Sequence, residues 1–453
     1  MNVAIIGTGY VGLTTGACLA FLGHKVTCVD ADANKIASLS RGEIPFYEPH
    51  LEDLLADAKR NLSFTMDYAE AIPEAQVIFI AVGTPTGVGG APDLKYLQSA
   101  AHSVGEHLGP HFTVIVNKST VPIGSGNWVG SLVRETVQRN TSAGPKCFAV
   151  ASNPEFLREG SAIHDSLYPD RVVIGADEPK TAEVLYTLYR PLLDQTFAPP
   201  TYLPRSDRLG AVPLISTDLS SAELIKYAAN AFLSLKISYI NEIGNLAERV
   251  GADITQVARG IGLDARIGTR FLQAGVGWGG SCFGKDTAAL IATAMEYKLE
   301  MPIVAAAREV NHRQRERVIE KLQAELKILK GRTIGLLGLA FKPDTDDLRE
   351  APALAIAQKL QERGARVRAH DPVAMEQFRK QRPDLNVTLC NSAQEVAHEA
   401  DALVLVTEWP EYRDLDWEAL AANMKSPLML DGRYVLDRAR LVRAGFRYVG
   451  LAG

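Results

Sequence analysis

A chain of 453 residues, 47% hydrophobic and 22% charged, has a globular composition and length for about two to four domains. Its formal net charge of −5 argues against general nucleic-acid or membrane-surface binding, and no apolar run reaches the roughly 18 residues of a membrane span. Five cysteines, an odd number without metal-ligand spacing, fit a reducing compartment better than a disulfide framework. With no signal-peptide pattern after Met1, a cytoplasmic protein without a metal site is expected.

Val3 to Ile6 reads as a short buried strand, and Gly7-Thr8-Gly9-Tyr10-Val11-Gly12 follows it directly. An apolar helix pattern runs from Leu13 to Leu22 and stops at Gly23, and His24 to Asp30 reads as the second strand. The glycine triplet alone is weak. Set between strand and helix, with a carboxylate ending the next strand, it is the dinucleotide-binding arrangement. Gly7 makes the tight turn, Gly9 lets the backbone reach the pyrophosphate, and Gly12 packs helix on strand. Asp30 would accept from the ribose hydroxyls and repel a 2′-phosphate, so NAD is expected rather than NADP. A βαβ unit that binds no nucleotide is the alternative. Cys18 and Cys28 fall on core positions.

Further strands are expected at Gln76–Val82, Phe112–Asn117 and Cys147–Ser152. They end in the loops Gly83-Thr84-Pro85-Thr86, Lys118-Ser-Thr120-Val-Pro122 and Asn153-Pro-Glu155-Phe156-Leu157-Arg-Glu159-Gly160. Ligands of an open parallel sheet bind beyond its carboxyl ends, which puts Thr120 and Glu155 at the cofactor's reactive end. Taken singly, each is an ordinary cap or turn residue.

The proline-rich stretch from Asp194 to Pro213 reads as a connection. Ser216, Thr217 and Asp218 then offer caps for a long helix through about Val250. It is apolar on several faces, and so buried on several sides, in part against another subunit. Lys226 and Asn230 stand four apart on one face of it. Beside a thiol they would form a donor pair for an oxyanion; a snorkelling lysine next to a surface asparagine is the plain alternative. Arg266 reads by itself as a surface cation. Gly275 to Asp286 is a glycine-rich run around Cys282, followed by Lys285. Positive charge and the helix expected from Asp286 to Leu290 would favour the thiolate, whereas a small buried hydrophobe is the alternative.

After helical sequence from Ala305 to about Leu329, a second wind starts with the strand Arg332–Leu337. A helix from Ala353 to Arg363 and strands at Ala365–Ala369, Ala402–Thr407 and Leu428–Leu430 follow. The glycine triplet is missing, so a different nucleotide is expected here. Lys342 and Arg433 lie past strand ends, where phosphate-binding cations belong; solvated charges are the alternative.

Taken as an ordered set, Gly7-Thr-Gly-Tyr-Val-Gly, Lys118-Ser-Thr-Val-Pro, Asn153-Pro-Glu-Phe-Leu-Arg-Glu-Gly, Glu223-Leu-Ile-Lys-Tyr-Ala-Ala-Asn, Gly279-Gly-Ser-Cys-Phe-Gly-Lys-Asp, Phe341-Lys-Pro-Asp-Thr-Asp-Asp and Asp431-Gly-Arg resemble the UDP-glucose/GDP-mannose dehydrogenase family over essentially the whole chain. The resemblance implies oxidation of a sugar C6 alcohol to a carboxylate by two hydride transfers to NAD. It makes Cys282 the nucleophile, Lys226 and Asn230 the oxyanion pair, Asp286 a water-orienting carboxylate, Glu155 the base and Thr120 the holder of a water. Cofactor contacts are implied at Gly7, Gly9, Tyr10, Val11, Gly12, Asp30, Lys35, Thr84, Thr120, Glu159, Lys285 and Arg349. Substrate contacts are implied at Glu155, Phe156, Leu157, Lys226, Asn230, Phe271, Gly275, Phe341, Lys342 and Arg433, with Arg266 reaching across a dimer interface. Ser281 and Tyr168-Pro-Asp-Arg171 resemble the branch that uses UDP-glucose. Gly284 stands where many relatives carry proline, and the 194–213 stretch is longer than in many.

The expected fold is α/β, with two Rossmann-like doubly wound parallel-sheet domains joined by a long central helix and a helical middle domain. The expected boundaries are 1–205 for NAD, 214–315 for the dimerisation helix and cysteine loop, and 316–453 for the UDP-sugar. A homodimer through the central helix is expected, with no nucleic-acid or membrane partner. Alternatives are GDP-mannose or another sugar nucleotide as substrate, a one-step hydroxyacid dehydrogenase, and an inactive NAD-binding scaffold.

Overall fold

The computed structural model describes residues 1–85, 87, 90–139 and 147–451. Thr86, which ends the first expected strand-end loop, lies outside them. The chain divides into two compact units, Met1–Ala229 with Ala288–Lys298, and Asn230–Thr287 with Leu299–Gly453.

The first unit carries β1 (Asn2–Ile6), β2 (Lys25–Val29), β3 (Leu62–Thr65), β4 (Val77–Ile80), β5 (Thr113–Asn117), β6 (Phe148–Ser152), β7 (Val172–Ala176) and β8 (Leu214–Thr217). Among the described residues they form one sheet in the order β3-β2-β1-β4-β5-β6-β7-β8. Every neighbouring pair is parallel except β6 and β7. Chain order reverses between β1 and β4, which opens a crevice beyond their carboxyl ends. The central strands read as unbroken apolar runs because both faces are covered. Ile5, Val114 and Val116 pack on one side with Leu185 and Leu188 of the helix Pro179–Leu193. Ile6, Ile80 and Ile115 pack on the other with Leu97 and Val133 from the helices Lys95–His107 and Ser125–Arg139. The stretch 194–213 holds neither strand nor helix, as its prolines require, but β8 forms directly after it.

In the second unit the strands are β9 (Thr333–Leu337), β10 (Arg366–His370), β11 (Val387–Leu389), β12 (Ala402–Leu405), β13 (Leu428–Asp431) and β14 (Arg447–Gly450). They pair in parallel in the order β11-β10-β9-β12-β13-β14, with the reversal at β9 and β12. Ile334, Leu336, Val404, Leu430, Ile356 and Trp417 share one apolar core.

The long helix spans Leu219–Val250 without a break at Gly244. Within the second unit, polar residues tie it to the helix Pro302–Leu326. The Ser238 hydroxyl donates to the Ala307 carbonyl at 2.7 Å, and Asn245 donates to Gln314 at 3.2 Å. Among the described residues no helix is long and apolar enough to cross a membrane.

Candidate active site

In the first unit, Gly7 has φ +96° and donates its N–H to the Val29 carbonyl at 2.8 Å, closing the turn after β1. A Cβ at Gly12 would lie 1.9 Å from the Gly7 oxygen, so the helix Tyr10–Phe21 can start this close only without one. A Cβ at Gly9 would meet nothing within 4 Å. The turn is therefore sealed toward the sheet and open above Gly9. Tyr10 and Val11 begin a helix whose first amides have no side-chain cap, the arrangement that binds a pyrophosphate.

Asp30, at the end of β2, accepts from the Thr8 amide at 2.8 Å, the Thr8 hydroxyl at 2.7 Å and the Lys35 ammonium at 3.0 Å. Burial works against its charge, but these donors and the Asp32 amide hold the carboxyl below its ordinary range. An anion fixed at this distance past the glycine turn suits ribose hydroxyls and opposes a 2′-phosphate. The residues present fit NAD.

The strand-end loops are latched together. The Thr84 hydroxyl donates to the Thr120 carbonyl at 2.9 Å, and the Ser119 hydroxyl to the Val82 carbonyl at 2.7 Å. Ser119, Thr120, Val121, Ser152, Glu223 and Lys226 line a small hollow. Glu155, 6% exposed, accepts from the Lys226 ammonium, 4% exposed, at 2.8 Å. Desolvation would raise this carboxyl, but the ammonium and the Leu157 amide at 2.7 Å outweigh it and hold the group below the usual range. Phe156, between Glu155 and Leu157, has the Arg171 guanidinium 3.6 Å and the Lys226 ammonium 5.4 Å from its ring centre. Glu159 is half-buried near the loop's end.

Two groups here were not singled out from sequence. Burial lowers Lys118 to about 8, and its ammonium donates to Asn153 at 2.8 Å, at the start of the Glu155 loop. Glu223, 3% exposed, accepts from the Gly124 and Gly126 amides at 2.6 and 2.9 Å and is pushed up to about 7 by burial. A glutamate one turn before a lysine on a mainly apolar helix was the available signal.

In the second unit, Cys282 immediately precedes the helix Phe283–Glu296, and its carbonyl accepts the first helical bond, from the Asp286 amide at 2.7 Å. The helix thus begins three residues before the expected Asp286. Its sulfur, half-buried, is 3.5 Å from the Ser281 hydroxyl and sits at the positive end of the helix, where a thiolate is favoured. Asp286, 1% exposed, accepts from the Asn230 amide at 2.6 Å and lies 3.4 Å from the Lys285 ammonium. The two donors expected to act as a pair thus each hold a carboxylate: Lys226 has Glu155, Asn230 has Asp286.

The cysteine loop is held by buried amides that sequence reasoning passed over. Asn241 accepts from the Gly275 N–H at 2.7 Å, and Gln314 donates to the Gly275 carbonyl at 3.0 Å. Asn311 grips Trp278 at both its N–H (2.7 Å) and its carbonyl (3.0 Å). The signal was polar residues at helical spacing, Ser238 with Asn241 and Asn311 with Gln314, on faces otherwise apolar.

Gly275 is pinned against β13's end: a Cβ there would lie 2.4 Å from the Gly432 oxygen. Arg433 makes an ion pair with Glu408 at 3.0 Å and donates to the Val406 carbonyl at 2.6 Å and the Phe341 carbonyl at 3.3 Å. Lys342 is half-buried, its ammonium 5.6 Å from the centre of the Phe341 ring. Phe271, with its ring 6.4 Å from that of Phe283, has φ +64°, a strained backbone for an aromatic residue. Asp344, Glu350 and Tyr434 also have positive φ, in segments flanking the expected substrate residues. Arg349 is exposed and paired with Asp347 at 2.8 Å, and Arg266 is 89% exposed and paired with Asp264 at 2.6 Å.

The second wind repeats the geometry of the first with a different outcome. Gly338 has φ +100°, close to that of Gly7, and Asp371 follows β10 as Asp30 follows β2. Yet Asp371 is 1% exposed and accepts from the Leu339 amide at 2.7 Å, the Ala340 amide at 3.0 Å and the Trp409 indole at 3.1 Å. The Val373 and Ala374 amides fill its other oxygen at 3.0 and 2.8 Å, so this buried carboxylate, unlike the partly exposed Asp30, has little left for a ribose.

The glycine turn at the switch point of the first sheet, with Asp30 behind it, puts the protein in the dinucleotide-binding class. Its particular kinship comes from comparison. Three models of the UDP-glucose/GDP-mannose dehydrogenase family match in order: the NAD binding domain at residues 1–193, the central domain at 220–313 and the UDP binding domain at 335–438. The chain belongs to that family. It is 46% identical to a UDP-glucose 6-dehydrogenase of Rhizobium meliloti over 100% of this chain and 99% of that protein. It is 44% identical to the UDP-glucose 6-dehydrogenase TuaD of Bacillus subtilis over 99% and 92%. A solved UDP-glucose dehydrogenase from Pyrobaculum islandicum aligns with TM-score 0.88 at 39% identity, over 99% of this chain and 97% of that one.

Proposed function

We propose that the protein oxidises the C6 alcohol of UDP-glucose to the carboxylate of UDP-glucuronate, in two hydride transfers to NAD. The observation that carries this reading is 46% identity across the full length of a relative named for this reaction, with the cysteine of the family motif at a helix N-terminus. NAD, held by Gly7, Gly9, Gly12 and Asp30, supplies the hydride acceptor.

Cys282 attacks the C6 aldehyde left by the first oxidation. The new C–S bond gives a thiohemiacetal, and loss of its C6 hydrogen as hydride, with the hydroxyl proton, gives a thioester. Water then adds to the thioester carbon and the C–S bond breaks, releasing carboxylate and thiol. Lys226 and Asn230 stabilise the oxyanions, each offering N–H donors. Glu155, kept ionised by Lys226, accepts a proton from the attacking water, which Thr120 holds and Asp286 orients. Tyr10, Val11, Lys35, Thr84, Glu159, Lys285 and Arg349 complete the cofactor contacts. Phe156, Leu157, Phe271, Gly275, Phe341, Lys342, Arg433 and a partner-facing Arg266 complete those to the sugar nucleotide. In this scheme residues 1–205 serve NAD, 214–315 the thiol chemistry and 316–453 the UDP moiety.

Two supporting features bear on assembly and location. Phe232, Tyr239, Leu246 and Val250 are all exposed at near-heptad spacing on the long helix, the kind of stripe a second copy would cover to make a homodimer. All five cysteines are free thiols, which suits the cytoplasm.

The test is the stoichiometry of purified protein with UDP-glucose and NAD. Two NADH per sugar are expected, and Cys282→Ser should block complete turnover. One NADH per sugar with Cys282→Ser fully active would defeat the covalent scheme; activity confined to GDP-mannose would move the substrate.

A further inference from the structure

Glu48 lies in the segment leading to the helix Leu51–Ala58, outside the strand-end loops, yet only 3% of it is exposed. Three donors converge on its carboxylate. Oε2 accepts from the Tyr10 hydroxyl and from the Gly160 N–H at 2.6 Å, and Oε1 accepts from the Ala162 N–H at 2.7 Å. Tyr10 is the first residue of the helix on the dinucleotide turn, and its ring packs on Phe46 with centroids 5.0 Å apart. Gly160 ends the loop that carries Glu155 and Glu159, and Ala162 begins the helix beyond it. One carboxylate thus joins two functional segments more than a hundred residues apart in sequence.

The chemistry of the position is specific. Three donors need an acceptor with lone pairs on both of its terminal atoms, which an ionised carboxylate has and an amide lacks, because one end of an amide is itself a donor. Hydrogen bonds to an ion are also the stronger kind and hold geometry more tightly.

We propose that Glu48 is a positioning residue that ties the dinucleotide turn, through Tyr10, to the end of the Glu155–Glu159 loop, and so sets the affinity for NAD. This rests on the reading of Tyr10 and Glu159 as cofactor contacts. Glu48 acts through those segments, so its removal weakens NAD binding without removing a group that touches the cofactor.

The experiment compares the full-length wild type with Glu48→Gln, Tyr10→Phe and the double variant. Binding of NAD alone is measured by calorimetric titration, alongside melting temperature and the Michaelis constants for NAD and UDP-glucose. Each single variant should weaken NAD binding about ten-fold, the scale of one hydrogen bond to a charged group. The double variant should be no weaker than Glu48→Gln alone, because both changes break the same bond. An unchanged NAD dissociation constant in folded Glu48→Gln overturns the proposal, as do losses that multiply in the double variant. Should Glu48→Gln fail to fold, Tyr10→Phe decides, since it keeps both backbone bonds to Glu48; unaltered NAD affinity there also overturns it. The titration uses no sugar, so a wild type that binds NAD but makes no NADH from UDP-glucose counts against the proposed reaction only.

Discussion

At Glu155, burial and a neighbouring ammonium pull in opposite directions, and the ammonium wins: the carboxyl stays charged although almost no water reaches it. At Glu223, one turn before Lys226, two backbone amides donate but burial outweighs them, so the group titrates at about 7. A carboxyl whose folded pKa lies above its unfolded value binds more protons in the native state. Its contribution to stability is complete below the unfolded value of 4.5 and is lost as pH rises through 7. Glu223→Gln should therefore flatten the stability curve across that interval, by roughly 3 kcal/mol at most, as read from denaturant midpoints at several pH values. An unchanged slope would mean that Glu223 is ionised throughout.

Among the elements, the long helix does most to relate sequence to chemistry. Thirty-two residues place Lys226 one turn before Asn230, while buried Ser238 and Asn241 brace the neighbouring helix and the cysteine loop. Its exposed stripe is the other face of the same element. If a second copy covers that stripe, placing charges there desolvates them without partners, at a cost of several kcal/mol. Phe232→Glu combined with Leu246→Glu should halve the mass seen by sedimentation while leaving the helix content intact. An undiminished mass would place the interface elsewhere or remove it.

For the whole molecule, the two windings of similar topology have diverged at one carboxylate each. Asp30 keeps 13% of its side chain exposed and one oxygen with a single donor, whereas buried Asp371 is taken up by four amides and an indole. Ligand linkage makes this measurable: NAD at about a hundred times its dissociation constant adds ~2.7 kcal/mol to the state that binds it. The thermal midpoint should rise with NAD, and Gly12→Val, whose side chain would run into the Gly7 carbonyl, should abolish the rise. A shift that persists in a folded Gly12→Val protein would locate the NAD site away from this turn.

The sequence determined what depends on neighbours along the chain. Apolar runs between glycine turns define the central strands, the triplet with Asp30 defines a dinucleotide site, and the ordered motifs define the family. These signals are local, since period, spacing and turn chemistry are set within a few residues. Short or irregular elements such as β3 and β8 escaped because nothing periodic marks them. What only the tertiary structure decided is which charges meet. The pairing of Lys226 with Glu155, the pairing of Asn230 with Asp286, the saturation of Asp371, and the burial of Glu48 under Tyr10, Gly160 and Ala162 all join residues from separate segments. Desolvation and hydrogen-bond partners fix a side chain's charge and role, and both arise only when the chain has folded back on itself.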